Sequence, residues 1–309
     1  MKAAADNHSA WSMKNILFFL LIASIPFSFE YHFSASLGTD LPDEPLMAIV
    51  SFVFLAAWIY RPSLLSPKVF HHPIILLLIV ILGWTLIAIL FSTNSWVSIK
   101  FLLAKSWYIG AFVLAALIVF SDTKNIRITA VLLLLSMFLV VLIVLLRHAF
   151  YGFEFASINK ALAPFFRNHV NYSAMLVCLL PVSFAAYKLS TARYKKLFAV
   201  LLIIFLIGLF FSYSRGAWLA LPVGIAGAWL ASKRKLFLVY IIALFLIAGS
   251  VFWLSDQDRY LRFAPEYRTT IFHEDFREHW IATYKLKDVS TAERFYRWVA
   301  GARDRKSVV

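Results

Sequence analysis

The chain has 309 residues, 62% of them hydrophobic and 15% charged, with a formal net charge of +14. Those proportions exclude a soluble globule and read as an all-α polytopic membrane protein. The cationic excess would point to nucleic acid in a soluble protein. Here most cations lie in short loops between apolar runs, where the positive-inside effect accounts for them, so no nucleic-acid partner is expected. The single cysteine, Cys178, lies inside an apolar run and leaves no internal disulfide.

Along the chain, Met1–Lys14 is polar and basic, and the uncharged stretch 15–29 is read as a short first span. A signal-peptide core would have a similar length, but no convincing small-residue cleavage site follows. Glu30–Glu44 carries acids without Lys or Arg, as an external loop would. Spans are then expected at 45–60, 73–92, 106–121, 128–146, 173–187, 197–214, 216–232 and 236–254, giving nine in all. Thr93–Lys105 mixes Trp96, Phe101, Leu102 and Leu103 with two lysines and predicts an external interfacial helix. Arg147–Tyr172 is a longer external connection, and Pro181 is expected to kink the span that follows it.

The segments assigned inside hold thirteen Lys and Arg residues, and the short outer connections hold six. This asymmetry predicts a cytoplasmic N-terminus and an external polar segment after Leu254. Residues 255–303 read as the start of a large external loop. His71 and His72 are adjacent without other ligands, and His273 and His279 are six apart rather than four. Neither spacing suits a metal, and neither a metal nor another cofactor is expected.

The sharpest local feature is Phe211–Trp218, where Arg215 alone separates two apolar runs. An arginine at membrane depth costs at least ~2.5–3.5 kcal/mol on insertion scales unless it snorkels or finds a partner. It is read either as a snorkelling cation or as one that faces an anion. Arg167, His169 and Asn171 lie on the same expected side. So do the arginines of the polar segment, Arg259, Arg262, Arg268, Arg277, Arg294, Arg297 and Arg303, among interleaved acids. A guanidinium's planar fork can grip phosphate through two bonds.

Three stretches, Ala163–Met175, Ser212–Ala220 and Ser290–Trp298, together resemble the O-antigen ligase and O-antigen polymerase family of bacterial envelope membrane proteins. The likeness runs from about Asn15 to Arg303, and the Ser-Arg-Gly between two spans carries most of its specificity. It implies a metal-independent glycosyltransferase of the bacterial inner membrane, multi-pass, with its large loop periplasmic. The donor would be a polyprenyl-diphosphate-linked glycan. The acceptor would be a hydroxyl on lipid A–core or on a lipid-linked repeat unit, with membrane lipids around both. On this likeness Arg215 and Arg294 bind the donor diphosphate and act in catalysis, while Arg167, His169, Asn171 and Ser214 bind substrate. The family's general-base histidine and about three further spans would follow the region of Arg294, so the chain is expected to be a C-terminally truncated, inactive enzyme. Asp304–Val309 can be encoded by a sequence that resembles a common sequencing-library adapter, and is expected to be a non-native tail. A transporter or flippase for a lipid-linked or anionic solute, and a structural subunit, are the alternatives. Two corresponding halves would mark the transporter, and none is visible in the sequence.

Overall fold

The computed structural model describes residues 13–34, 37–263, 281, 284–286 and 289–303. Among the described residues, six helices are long and apolar enough to cross a membrane: Asp43–Tyr60, Pro73–Leu90, Ser95–Val119, Thr123–Phe150, His169–Leu189 and Leu236–Phe263. The protein is therefore α-helical and multi-pass, as its composition requires. In order, the elements are α1 (Met13–Ser24), β1 (Phe29–Ser34), β2 (Leu37–Leu41), α2 (Asp43–Tyr60), α3 (Pro73–Leu90), α4 (Ser95–Ile109) and α5 (Ala115–Val119). There follow α6 (Thr123–Phe150), α7 (Ile158–Leu162), α8 (His169–Leu189), α9 (Ala192–Phe210), α10 (Arg215–Ser232), α11 (Leu236–Ser255) and α12 (Val289–Arg303).

Several elements differ from the nine expected spans. α1 is 12 residues long and passes into a short 3-10 turn, and the acid-bearing loop after it folds as an antiparallel hairpin, β1 on β2. The expected surface helix at 93–105 and the span after it form one helical run, joined through a π-turn at Gly110–Leu114. The lysines do not break this helix, because each lies over an aromatic ring of its own flank. Lys100 is 5.7 Å from the Trp96 ring centre, and Lys105 is 5.3 Å from that of Phe101. α9 and α10 are helical, but the first turn of α9 holds Arg193 and Lys195 and α10 begins with Arg215. Neither is among the six.

The chain forms two compact units, the larger comprising Met1–Phe150 with Asn159–Ser212. In it, Phe18 of α1 meets Phe54 of α2 and Phe120 edge-on, around a core completed by Val50, Ala111 and Ile118. A Cβ on Gly110 would lie 2.6 Å from Ser51, so that glycine is required for α2 to approach the π-turn. The Ser51 hydroxyl lies 2.8 Å from the carbonyl of Trp107, within donating distance. Further along, α6 packs against α8 and α9, and Met137, Val140 and Val141 of α6, Tyr172 and Leu176 of α8 and Phe205 of α9 are all buried. Gly208 permits this second close approach, since its Cβ would sit 2.7 Å from the Tyr172 hydroxyl.

The second unit comprises Tyr151–Ile158 with Tyr213–Val308. Among the described residues, α10 and α11 each bury a single side chain, Ala217 and Leu254. α12 packs along α11 and against the turn segment Asp256–Phe263. Its Arg303 donates to the Ser255 carbonyl at 2.7 Å and pairs with Asp258 at the same distance.

Candidate functional site

The connection into α8 is built by three anchors. Arg147, at the end of α6, donates to the carbonyls of Ala163 and Lys160. Asn168 caps α8: its Oδ1 accepts from the amides of Val170 (3.0 Å) and Asn171 (2.9 Å), satisfying two of the four amides a helix start leaves open. Asn159 Oδ1 accepts from the backbone amide of His169 at 3.0 Å, and the His169 ring Nδ1 lies 3.3 Å from the same oxygen.

These anchors place Arg167 opposite the β1–β2 hairpin. Its Nη2 donates to both oxygens of Asp40, at 2.9 and 3.1 Å, and its Nε is 3.0 Å from Glu30 Oε2. The Asp40 hydrogen bond, foremost, and the surrounding acids raise the guanidinium pKa against the opposing effect of its burial, so Arg167 stays cationic at any accessible pH. Around this fork lies a cavity of about 470 Å³, lined by Glu30, Asp40, Asp43, Asn159, Arg167 and Asn171 with Phe165 and Phe166. Of the residues expected from the sequence, Arg167 and Asn171 share this cavity, and His169 is bonded to Asn159 in its wall. The arginine meets carboxylates here, so the cavity as it stands suits a polar ligand better than a bare anion. Glu30, Asp40, Asp43 and Asn159 were not expected in a site. Glu30 and Asp40 were legible only as acids of one loop, because their approach to Arg167 spans more than a hundred residues.

Ser214 and Arg215 lie in the second unit, where the chain turns into α10. Tyr213 adopts the left-handed conformation at φ 54°, costly for a residue with a side chain. It is held from two sides: its hydroxyl donates to the carbonyl of Phe153 at 2.5 Å, and its ring meets that of Phe155 edge-on. Ser214 then sits at the N-cap with extended backbone, its carbonyl accepting from Ala217 and Trp218. Arg215 is the first residue of α10, so its guanidinium adds to the partial positive charge of the helix start. A Cβ on Gly216 would meet nothing within 4 Å, so packing among the described residues does not demand glycine there.

Arg294 is exposed on α12 and makes no ion pair among the described residues. It and Arg215 stand on different helices, both of which pack on α11. Arg297 pairs with Glu293 and Arg259 with Asp256, as interleaved charges imply. The stretch His273–His279, with Arg268 and Arg277, lies outside the described residues, as does Asp304–Val309. Among the described residues no group of three or more His, Cys, Asp or Glu could hold a metal ion. Compared with protein-family models, curated proteins and solved structures, the chain matches none.

Proposed function

We propose that the chain is part of a membrane glycosyltransferase of the O-antigen ligase or polymerase type, which moves a glycan from a polyprenyl-diphosphate carrier to a hydroxyl. In this reading the chain crosses the inner membrane nine times, with its N-terminus cytoplasmic and the segment after α11 periplasmic. Arg215 binds the carrier diphosphate and stabilises the charge it gains as the glycosidic C–O bond breaks, a preorganised electrostatic role. Arg294 joins it on the diphosphate. Arg167, His169, Asn171 and Ser214 contact the remainder of the substrate. The acceptor hydroxyl gives up its proton to a base that the family places beyond Arg294, and no residue up to Val309 is assigned that part.

The supporting observation is the junction before α10. A left-handed tyrosine, tied down from two directions, delivers an arginine to the first position of an apolar helix. Backbone held in a costly conformation clusters at functional sites, because the surroundings must over-determine it.

The test is transfer of labelled lipid-linked glycan in membranes from cells expressing the complete gene. Lipid A–core and lipid-linked repeats are offered as competing acceptors. Arg215→Ala should lower transfer about 10²-fold or more, the scale for losing one preorganised donor, with thermal unfolding unchanged. Arg215→Ala protein that transfers glycan at the full rate overturns the assignment.

A further inference from the structure

We propose that the cleft between α11 and α12 is a phospholipid site. It takes one acyl chain of an acidic glycerophospholipid, with the lipid phosphate at Arg262 beside Arg259. The cleft measures about 480 Å³, and its walls include Phe245, Gly249 and Trp253 of α11 with Phe263, Phe295 and Trp298. Its size is in the range of ligand pockets, ~300–1,000 Å³.

Three observations select the occupant. First, the cleft belongs to a helix whose flank is otherwise bare: α11 is long and apolar enough to cross a membrane, and Phe245 is 72% exposed. Where α11 spans the bilayer, a bare apolar flank of this kind lies in hydrocarbon, which then borders the cleft. Second, the cleft offers almost nothing to a polar backbone. Ser250, its hydroxyl-bearing wall residue, already donates to the Leu246 carbonyl at 2.7 Å. A peptide segment lying there would leave its amides unsatisfied in an apolar setting, whereas an alkyl chain has none to satisfy. Third, the rim is cationic. The described polar part of this unit holds Arg259, Arg262, Lys285, Arg294, Arg297 and Arg303 against Asp256, Asp258 and Glu293.

The rim charges also place the headgroup. Arg303, Arg297 and Arg259 each have a carboxylate partner. Arg262 is exposed and, like Arg294 and Lys285, has none among the described residues; of these three it is the one three residues from Arg259. It directly precedes Phe263, a wall residue, and the Arg259 guanidinium lies 5.5 Å from the ring centre of Trp253, another wall residue. Unneutralised cation therefore stands next in the chain to a wall residue of an apolar slot, which is lined by tryptophans of the kind that favour the membrane interface. Gly249 faces open space in the slot, since a Cβ there would meet nothing within 4 Å, so a large side chain at this position can enter it. This inference needs only the membrane character of α11 and stands apart from glycan transfer.

The experiment is native mass spectrometry of the full chain released from nanodiscs containing phosphatidylglycerol and phosphatidylcholine with identical acyl chains. The chain should retain phosphatidylglycerol about tenfold over phosphatidylcholine, as one charge-assisted contact of about 1.4 kcal/mol gives. Arg262→Gln should bring that ratio towards one while phosphatidylcholine binding persists. Gly249→Phe, whose ring fills the slot, should lose both lipids about tenfold while its helical circular dichroism is retained. The proposal is overturned if Arg262→Gln keeps the headgroup preference, or if folded Gly249→Phe keeps its lipid. A polyprenyl phosphate that displaces the phosphatidylglycerol would also overturn it, since the slot would then belong to a donor carrier. Should Gly249→Phe fail to fold, the headgroup ratio of Arg262→Gln decides alone.

Discussion

α6 and α11 are both apolar enough to span a bilayer, yet α6 buries nine side chains and α11 buries one among the described residues. Hydropathy does not separate them, because lipid and a protein core are equally apolar. What separates them is the small and polar content of the buried stripe. α6 buries Asn125, Thr129, Ser136 and His148 among its apolar residues, and α9 brings Gly208 against it. Asn125 shows the use of such a residue: its side-chain amide donates to the Val119 carbonyl at 2.8 Å, fastening the start of α6 to the end of α5. Small residues let helix backbones approach, and polar ones hold them at fixed register. α10 and α11 carry glycines too, but a Cβ on Gly224, Gly227 or Gly249 would meet nothing within 4 Å.

Glycine substitutions break this comparison most directly. A side chain at Gly208 would push its Cβ to 2.7 Å from the Tyr172 hydroxyl and 2.9 Å from Val141 Cγ1. Neither neighbour can retreat easily, since Tyr172 and Val141 are both fully buried. Gly208→Val should therefore destabilise the larger unit by about 2–3 kcal/mol, the usual cost of overpacking. Gly227→Val should change stability by no more than ~0.5 kcal/mol, as open helical positions do. Thermal unfolding in one detergent gives both values. Equal losses at the two glycines would mean that the packing contrast between the units is wrong.

The contrast also shows what the sequence could and could not disclose. Apolar runs of helix length were legible, and so was Arg215 between two of them, because a lone charge in a hydrophobic field needs no partner to be noticed. The continuity of α4 through α5 was not. Lys100 and Lys105 among Trp96, Phe101, Leu102 and Leu103 read as a surface helix in the sequence, whereas each lysine lies over an aromatic ring of its own helix. The β1–β2 hairpin is not legible because Glu30–Glu44 lacks the long alternating pattern that marks strands and sets their register. Arg167 was noticed as a cation, but its carboxylate partners lie on a hairpin distant in sequence. No local rule could have supplied them.

A smaller effect separates helix starts that are capped by a side chain from those that are not. Asn168 caps α8 through two amides, whereas Thr191, at the start of α9, makes no side-chain cap bond. Asn168→Ala should cost about 1 kcal/mol and Thr191→Ala less than ~0.5 kcal/mol. Because Asn168 directly follows Arg167, its loss should also loosen the fork on Asp40. A larger rise in hydrogen exchange at Val170 and Asn171 than at Tyr194 would show this, and equal exchange would refute it.

The smallest expected effect is that of the fork itself. The Arg167 side chain is 56% exposed, so solvent screens its two ion pairs, and the coupling with Asp40 should not exceed about 1 kcal/mol. The Arg297–Glu293 pair on α12 is more exposed at both ends and should give ~0.5 kcal/mol or less. Double-mutant cycles, Arg167→Met with Asp40→Asn and Arg297→Met with Glu293→Gln, measure the two, and added salt should weaken both. The pH dependence fixes the sign. The guanidinium pKa is raised on folding, so its contribution is present below its unfolded value and is lost only as pH rises through the higher folded value. The Arg167–Asp40 coupling should thus stay flat between about pH 7 and 10. A decline across that interval would mean that a group other than the guanidinium supplies the proton that holds the hairpin to the α8 connection.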